Sequence, residues 1–318
     1  MSKRGPDRYK QGMAHRIGID LGGTKIEVAV LDPAGAVVLR RRADTPGTYG
    51  EIVRTIAALV EGAERELAVR ATVGVGIPGV ISPATGLVKN ANSQALIGHA
   101  LDQDLAAALR RPVRVENDAN CFALSEAVDG AGAGQRLVFG VILGTGVGGG
   151  IVFDGTVWRG RNAIAGEWGH IALPSAARQP GGGRRCYCGR IDCIETWLSG
   201  PALLAEYRGR GGTASGVPQM VALARSGERL ARETLAHFFE RLAEALAIVV
   251  NVLDPDAVVI GGGLSNIDEI YEVVPGLLPK YVFSDAVTTP ILRNRHGDSS
   301  GVRGAAWLCG PNPPPARP

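Results

Sequence analysis

The sequence predicts an α/β fold with mixed sheets, arranged as two related lobes around a cleft. Three observations carry that prediction. Apolar strand patterns alternate with helical patterns along the chain, which is how helix-on-sheet layering reads in sequence. Glycine is abundant, at 45 of 318 residues, while aromatic residues make up only 5%, so tight turns and close backbone approaches are expected. The pattern of "IGIDLGGTKIEVAVLD", an apolar strand, a glycine turn and a second strand, recurs in "FGVILGTGVGGGIVFDG" at Phe139–Gly155. Such an internal duplication implies two related lobes.

The elements follow in chain order. Met1 to Gln11 is polar, and residues 1–12 read as a disordered leader with Met13 as an alternative start. "HRIGIDLGGTKIEVAVLDPAGAVVLRRRA" alternates as three strands joined by glycine turns. "EIVRTIAALVEGAEREL" has helical spacing, and "TVGVGIPGVI" is a buried strand closing on a turn. "RPVRVENDANCFALSEAV" is a strand that breaks into a helix at Asn117–Asn120, where Asn and Asp are good caps. Beyond the second glycine hairpin come a long helix over Thr234–Leu253, the strand and turn "AVVIGGGLS", and a last helix in "SGVRGAAWL". The closing "PNPPPARP", residues 311–318, cannot form helix or central strand and reads as a loose tail.

Composition narrows the function. A chain of this length, 45% hydrophobic, can bury two cores. The net charge is +3, but Lys3, Arg4, Arg8 and Lys10 stand against only Asp7 in the first twelve residues. The remainder is close to neutral, which argues against a nucleic-acid partner. No apolar run reaches membrane-spanning length without charges, and the N-terminus lacks an apolar signal region, so neither a membrane partner nor secretion is expected. The chain reads as cytoplasmic. Disulfides are rare in that compartment, and three of the five cysteines crowd into "RRCYCGRIDCIET". Cys186, Cys188 and Cys193, with His170 of the upstream "GEWGH", supply three thiolates and one imidazole for a closed, structural zinc site. Cys121 and Cys309 lie among apolar residues at helical spacing and are expected in the core.

Other motifs point to phosphate and to acid–base chemistry. "DLGGTK" sets Asp20, Gly22, Gly23, Thr24 and Lys25 on a turn where backbone N–H groups can reach phosphate oxygens. It is equally readable as an ordinary glycine turn. "LGTGVGGG" formally contains the G-x-G-x-x-G dinucleotide spacing, but "IVFDG" continues as strand where a helix should open. A second phosphate-facing hairpin at Gly144, Thr145 and Gly146 fits better. Gly261, Gly262 and Gly263 follow a buried strand and suit either a flat adenine lying on backbone or a tight strand-to-helix turn. In "ENDAN", Asp118 opens a helix whose dipole favours the ionised carboxylate. Facing a cleft, it could take a proton from an attacking hydroxyl; otherwise it is a plain helix cap.

In this order, "DLGGTK", "GIPG", "ENDAN", "LGTGVGGG", "GEWGH", "CYCGRIDCIE" and "VVIGGGLS" resemble the ROK family of sugar kinases and related repressors. "GVISPATGLVKNANS", "SEAVDGAGAG" and "RHGDSSGVRGAAWL" look most like its bacterial fructokinase (manno-fructokinase) branch, with N-acetylglucosamine kinase second. The resemblance implies an actin-like fold with a sugar cleft between lobes, a small zinc knuckle, and a last helix that returns to the first lobe. The lobes are then residues 13–117 with the helix 299–310, and residues 118–298. It implies ATP with Mg²⁺ as phosphoryl donor, a homodimer, and phosphorylation of a hexose C6 hydroxyl, fructose first, with N-acetylglucosamine, mannose or glucose as alternatives.

Carried over by position, Asp118 is the general base, and Gly79, Asn92, Asn117, Glu167, His170 and Glu195 line the sugar pocket with it. Asp20 faces the metal side of ATP, Gly22–Lys25 and Gly144–Gly146 are the phosphate loops, and Gly261–Gly263 lie on the adenosine side. His170, Cys186, Cys188 and Cys193 match the zinc ligands, so the metal is expected to place Glu167 and Glu195, with the second His170 nitrogen free for the sugar. Three positions depart from the pattern. Asp192 stands where the knuckle usually has glycine, and Ala95 and Ile97 stand where the fructokinase branch usually has Trp and Asn. The rival reading is a sugar-responsive repressor, against which only about a dozen residues precede the first strand, too few for a helix-turn-helix domain.

Overall fold

The structure, a computed structural model, describes residues 15–91, 93–176 and 183–310. The predicted leader and tail, and Asn92 of the expected sugar pocket, lie outside the described residues. The chain opens with β1 (Arg16–Leu21), β2 (Lys25–Leu31) and β3 (Val37–Asp44), the expected meander. It continues through α1 (Tyr49–Leu67), β4 (Thr72–Ile77), the short β5 (Val80–Ile81) and β6 (Val88–Lys89), α2 (Leu101–Leu109) and β7 (Val113–Asn117). These build a five-stranded sheet in the order β3-β2-β1-β4-β7. β1 and β2 are antiparallel, whereas β4 runs parallel to both β1 and β7. Ile17, Ile19, Val28, Val73 and Val75 fill one core with Ile52, Ile56 and Val60 of α1, the stripe that the helical spacing marked out.

After α3 (Asp118–Val128) the pattern repeats. β8 (Leu137–Leu143) and β9 (Val147–Phe153) form an antiparallel hairpin, extended by β10 (Thr156–Val157). Four helices follow, α4 (Glu195–Leu198), α5 (Gly200–Gly209), α6 (Val217–Arg225) and α7 (Arg229–Leu253). Then come β11 (Ala257–Gly261), α8 (Glu269–Leu277) and β12 (Ile291–Arg293). The second sheet is β10-β9-β8-β11-β12, with β11 parallel to β8 as β4 is to β1. The duplication read from the sequence is therefore a repeat of strand topology. α7 starts earlier than its apolar spacing suggests because Glu228 caps it, accepting from the Ala231 N–H at 3.1 Å.

α9 (Ser300–Trp307) closes the chain by packing back on β1, β2 and β4 of the first sheet and against α3. Glycines permit this. A Cβ on Gly18 or Gly74 would stand 1.9 Å from a carbonyl oxygen of α9, and one on Gly304 would stand 1.6 Å from the Cys121 carbonyl oxygen. Backbone meets backbone at these crossings, which no other residue type allows. Cys121 is fully buried as expected, whereas Cys309 is only partly covered and donates its thiol to the Val73 carbonyl at 3.2 Å. No helix among the described residues is long and apolar enough to cross a membrane.

Candidate active site

The first sheet delivers Asp118. β7 ends beside β4, with Asn117 paired to Ile77, and α3 starts at once. Asn117 Oδ1 accepts from the N–H groups of Ala119 (2.9 Å) and Asn120 (3.4 Å), and its Nδ2 donates to the Gly79 carbonyl at 3.4 Å. Gly79 is tightly enclosed, since a Cβ there would lie 2.8 Å from the Ala91 methyl. These bonds fix the turn from which Asp118 projects. Its carboxylate does not behave as an exposed helix cap would. Burial pushes its pKa up to about 6, against the bond from the Ala119 N–H, and the Asp20 and Glu167 carboxylates raise it further. Desolvation outweighs the helix start, contrary to the expectation from the sequence. A group with that pKa is still mostly ionised at neutral pH and is a stronger base than an ordinary Asp.

Two glycine hairpins and a third turn flank this acid. In the first, the Gly22 N–H donates to the Lys25 carbonyl at 3.0 Å, and the Thr45 hydroxyl ties down the Gly22 carbonyl at 2.8 Å. Gly23, Thr24 and Lys25 are left exposed at the tip. In the second, the Gly144 N–H donates to the Gly146 carbonyl at 3.0 Å, with Thr145 exposed. The third turn follows β11. Gly262 has φ +80°, and a Cβ there would lie 2.5 Å from the Leu143 carbonyl oxygen, while one on Gly261 would lie 2.3 Å from the Phe122 ring. Gly263 faces open space. Gly144, Thr145 and Gly263 meet Gly200 of α5 and Val217 and Val221 of α6 around a cavity of about 520 Å³.

The cysteine loop folds as a knuckle against the second hairpin. The His170 Nδ1 lies 3.5 Å from Cys186 Sγ, and Cys188 Sγ lies 3.6 Å from Cys193 Sγ. All four ligand atoms fall within 4.8 Å of one another. Asp192 has φ +56° and its carboxylate accepts from the Gly183 N–H (2.9 Å) and the Arg184 N–H (2.9 Å). The glycine-like backbone is thus held by hydrogen bonds that glycine could not make, which offsets the left-handed conformation. Glu195 Oε2 accepts from the Val147 N–H at 3.0 Å, joining the knuckle to the second glycine hairpin.

With this geometry in hand, comparison with known proteins decides the family, because residues 16–311 match that of the ROK proteins. The chain belongs to the ROK family. It is 43% identical to an N-acetyl-D-glucosamine kinase of Pectobacterium carotovorum subsp. carotovorum over 92% of this chain and 97% of that protein. Among solved structures it is similar to a ROK hexokinase from Thermus thermophilus (TM-score 0.80, 32% identity, 93% and 97% of the two chains). A ROK family glucokinase from Streptomyces griseus in complex with glucose and AMPPNP superposes with TM-score 0.74 at 29% identity, over 92% and 98% of the chains. The protein is an ATP-dependent sugar kinase of this family.

Within the ROK fold the knuckle passes a test of fit for zinc. A tetrahedral shell with Zn–S of about 2.3 Å and Zn–N of about 2.0 Å puts ligand atoms roughly 3.5–3.8 Å apart, and the two pairs quoted above match that spacing. Burial, then Cys188 and Cys186, pushes the Cys193 thiol up to about 12, so a bound cation is what would convert it to thiolate at neutral pH. All five cysteines are free thiols here, not disulfides. The Asp20 carboxylate likewise suits a cation. It accepts no hydrogen bond from the described residues, and burial, followed by Glu27, raises its pKa.

Some expected positions behave differently from a bare sugar contact. The second nitrogen of His170, Nε2, lies 3.0 Å from the Tyr187 hydroxyl, where the sequence reading has it free for the sugar. Glu195 is engaged with Val147, while Glu167 is exposed beside Asp118. Ala95 packs on the first core and Ile97 is 42% exposed. The wall of the cavity formed by α5 and α6 escaped the sequence reading. Its signal was present in "LSGPALL", where Ser199 caps α5, accepting from the Ala202 N–H at 3.3 Å, with proline in the first turn.

The Asp118 pKa gives a direct test. If the deprotonated form accepts the proton, kcat/KM for sugar should be level from pH 7 to 8 and fall about tenfold per unit below pH 6. A profile that stays flat to pH 5 would remove Asp118 as the base.

Proposed function

We propose that the chain transfers the γ-phosphoryl group of ATP to the C6 hydroxyl of a hexose, with Asp118 as the proton acceptor. The observation that carries this reading is Asp118 held at the start of α3, where burial and then the Asp20 and Glu167 carboxylates raise its pKa. Phosphoryl transfer passes through a loose transition state and needs alignment and charge stabilisation more than a preformed alkoxide. Asp118 orients the hydroxyl and takes its proton late. The two glycine hairpins offer backbone N–H groups to the phosphates, and the cavity beside Gly263 receives the adenosine. Asp20 would hold the Mg²⁺, which supplies charge neutralisation at the phosphates.

Asn117, Glu167, His170, Glu195 and Gly79 form the sugar side, and the lobes are residues 13–117 with the helix 299–310, and 118–298. His170, Cys186, Cys188 and Cys193 would hold a structural zinc that keeps the Glu167 and Glu195 segments together. A homodimer and a cytoplasmic location belong to the same reading.

The leading substrate is N-acetylglucosamine, which corrects the order taken from the sequence. Relatives 40–43% identical over 92% of the chain, from Pectobacterium, Vibrio and Salmonella, are named N-acetyl-D-glucosamine kinases. Ala95 in place of the tryptophan of the fructokinase branch is compatible with the larger acetamido substituent. Fructose stands second, carried by "GVISPATGLVKNANS" and "RHGDSSGVRGAAWL". Initial rates with ATP across N-acetylglucosamine, fructose, mannose and glucose test the reading. The expected result is the highest kcat/KM for N-acetylglucosamine. A clear preference for fructose restores the second reading, and no turnover with any of them rejects both.

A further inference from the structure

β7 carries a buried carboxylate that the mechanism above does not use. The Glu116 side chain is only 1% exposed, two residues before Asp118. Its Oε1 accepts from the Asn117 N–H at 2.9 Å and from Asn120 Nδ2 at 3.1 Å. Both donors belong to the turn that presents Asp118. Its Oε2 accepts from Arg159 Nε in a short ion pair, and the same guanidinium donates from Nη2 to the Val115 carbonyl at 3.2 Å. Arg159 comes from the other sheet. It follows β10, at the head of the loop that runs to Glu167 and His170. This contact therefore spans from the second sheet to the first, at the end of β7 from which the reactive turn springs.

We propose that Arg159 is a positioning residue for the sugar: through the buried Glu116 carboxylate it pins the loop carrying Glu167 to the turn carrying Asn117 and Asp118. The proposal rests on the hexose kinase reading above. The physical reason is directional. Glu116 has donors on one oxygen from the Asp118 turn and on the other from the opposite loop, so a single carboxylate fixes both halves of the sugar side. Without Arg159 the loop loses its two bonds to β7, and Glu116 keeps a buried charge with no cation beside it. The proposed ATP cavity is built from the Gly144 and Gly263 turns with α5 and α6; Arg159 does not line it and directs its hydrogen bonds to β7 instead.

The test is steady-state kinetics on Arg159→Gln, Arg159→Lys and Arg159→Gln combined with Glu116→Gln, all in the full chain. Arg159→Gln should raise the KM of the sugar at least ~10-fold and lower kcat, with the KM of ATP changed less than ~2-fold, as a lost charged hydrogen bond at a buried acceptor typically does. Arg159→Lys should recover part of the sugar KM, because the charge returns without the bond to Val115. The double variant should be less impaired than Arg159→Gln alone, since the uncompensated carboxylate is gone, and it also serves if the single variant fails to fold. Equal shifts in both KM values, or a sugar KM that stays native in Arg159→Gln, overturns the proposal. The base assignment is tested separately, because loss of Asp118 acts on kcat and leaves sugar binding in place.

Discussion

Asp118→Asn should retain the fold and bind sugar, yet lose at least ~10²-fold in turnover, the usual contribution of a general base. Asn keeps the shape of the side chain and its bond from the Ala119 N–H, but cannot take a proton. The same change should not destabilise the protein. Burial raises the folded-state pKa of Asp118 to about 6, above the roughly 3.9 of an unfolded aspartate. The ionised carboxylate therefore costs stability above pH 6, and this cost is relieved as pH falls from 6 towards 4. Neutral Asn at pH 7–8 should give a Tm equal to or above that of the wild type. Turnover, sugar binding and Tm measured side by side separate the outcomes. Near-native turnover would take Asp118 out of the mechanism, and lost binding with a lowered Tm would make its role structural.

The second large effect concerns the knuckle. Purified protein should contain about one zinc per chain, bound by His170, Cys186, Cys188 and Cys193 in a closed four-ligand shell. Cys188→Ser should lower the zinc content, lower Tm, and weaken sugar binding at least ~10-fold, the scale of changes around a metal site. ATP binding should suffer less, because none of the four knuckle ligands lines the cavity beside Gly144 and Gly263. Metal content, Tm and the two binding constants are the measurements. Fully active protein with no zinc would falsify this account, as would a disulfide between any pair of these thiols.

The glycines of "LGTGVGGG" serve two different purposes. Gly144 to Gly146 form the turn, as the sequence reading has it, and the glycines after them lie in β9. A Cβ on Gly149 would lie 2.6 Å from the Trp168 ring, and one on Gly150 would lie 2.6 Å from the Ala119 carbonyl oxygen. Those glycines let α3 and Trp168 settle directly on β9. The difference cannot be read locally, since a glycine that admits a ligand and one that admits a neighbouring helix have the same sequence context.

By itself the sequence determined the elements that rest on local periodicity: the two strand–turn–strand hairpins, α1, the break from β7 into α3, and the last helix. It also determined the residue set of the knuckle, because three thiols and an imidazole at that spacing suit one tetrahedral metal shell, and the structure brings the four together. The tertiary structure alone decided the rest. It returned α9 to the first sheet through Gly18, Gly74 and Gly304, built a cavity wall beside Gly144 and Gly263 from α5 and α6, and turned Glu195 towards Val147. It set the Asp118 pKa through burial and through Asp20 and Glu167, and joined Arg159 to Glu116 across 43 positions of chain. The physical reason is common to all of these. Periodicity and capping act over a few residues and are written locally, whereas desolvation, backbone contact between distant glycines and an ion pair between sheets exist only once the chain has brought its distant parts together.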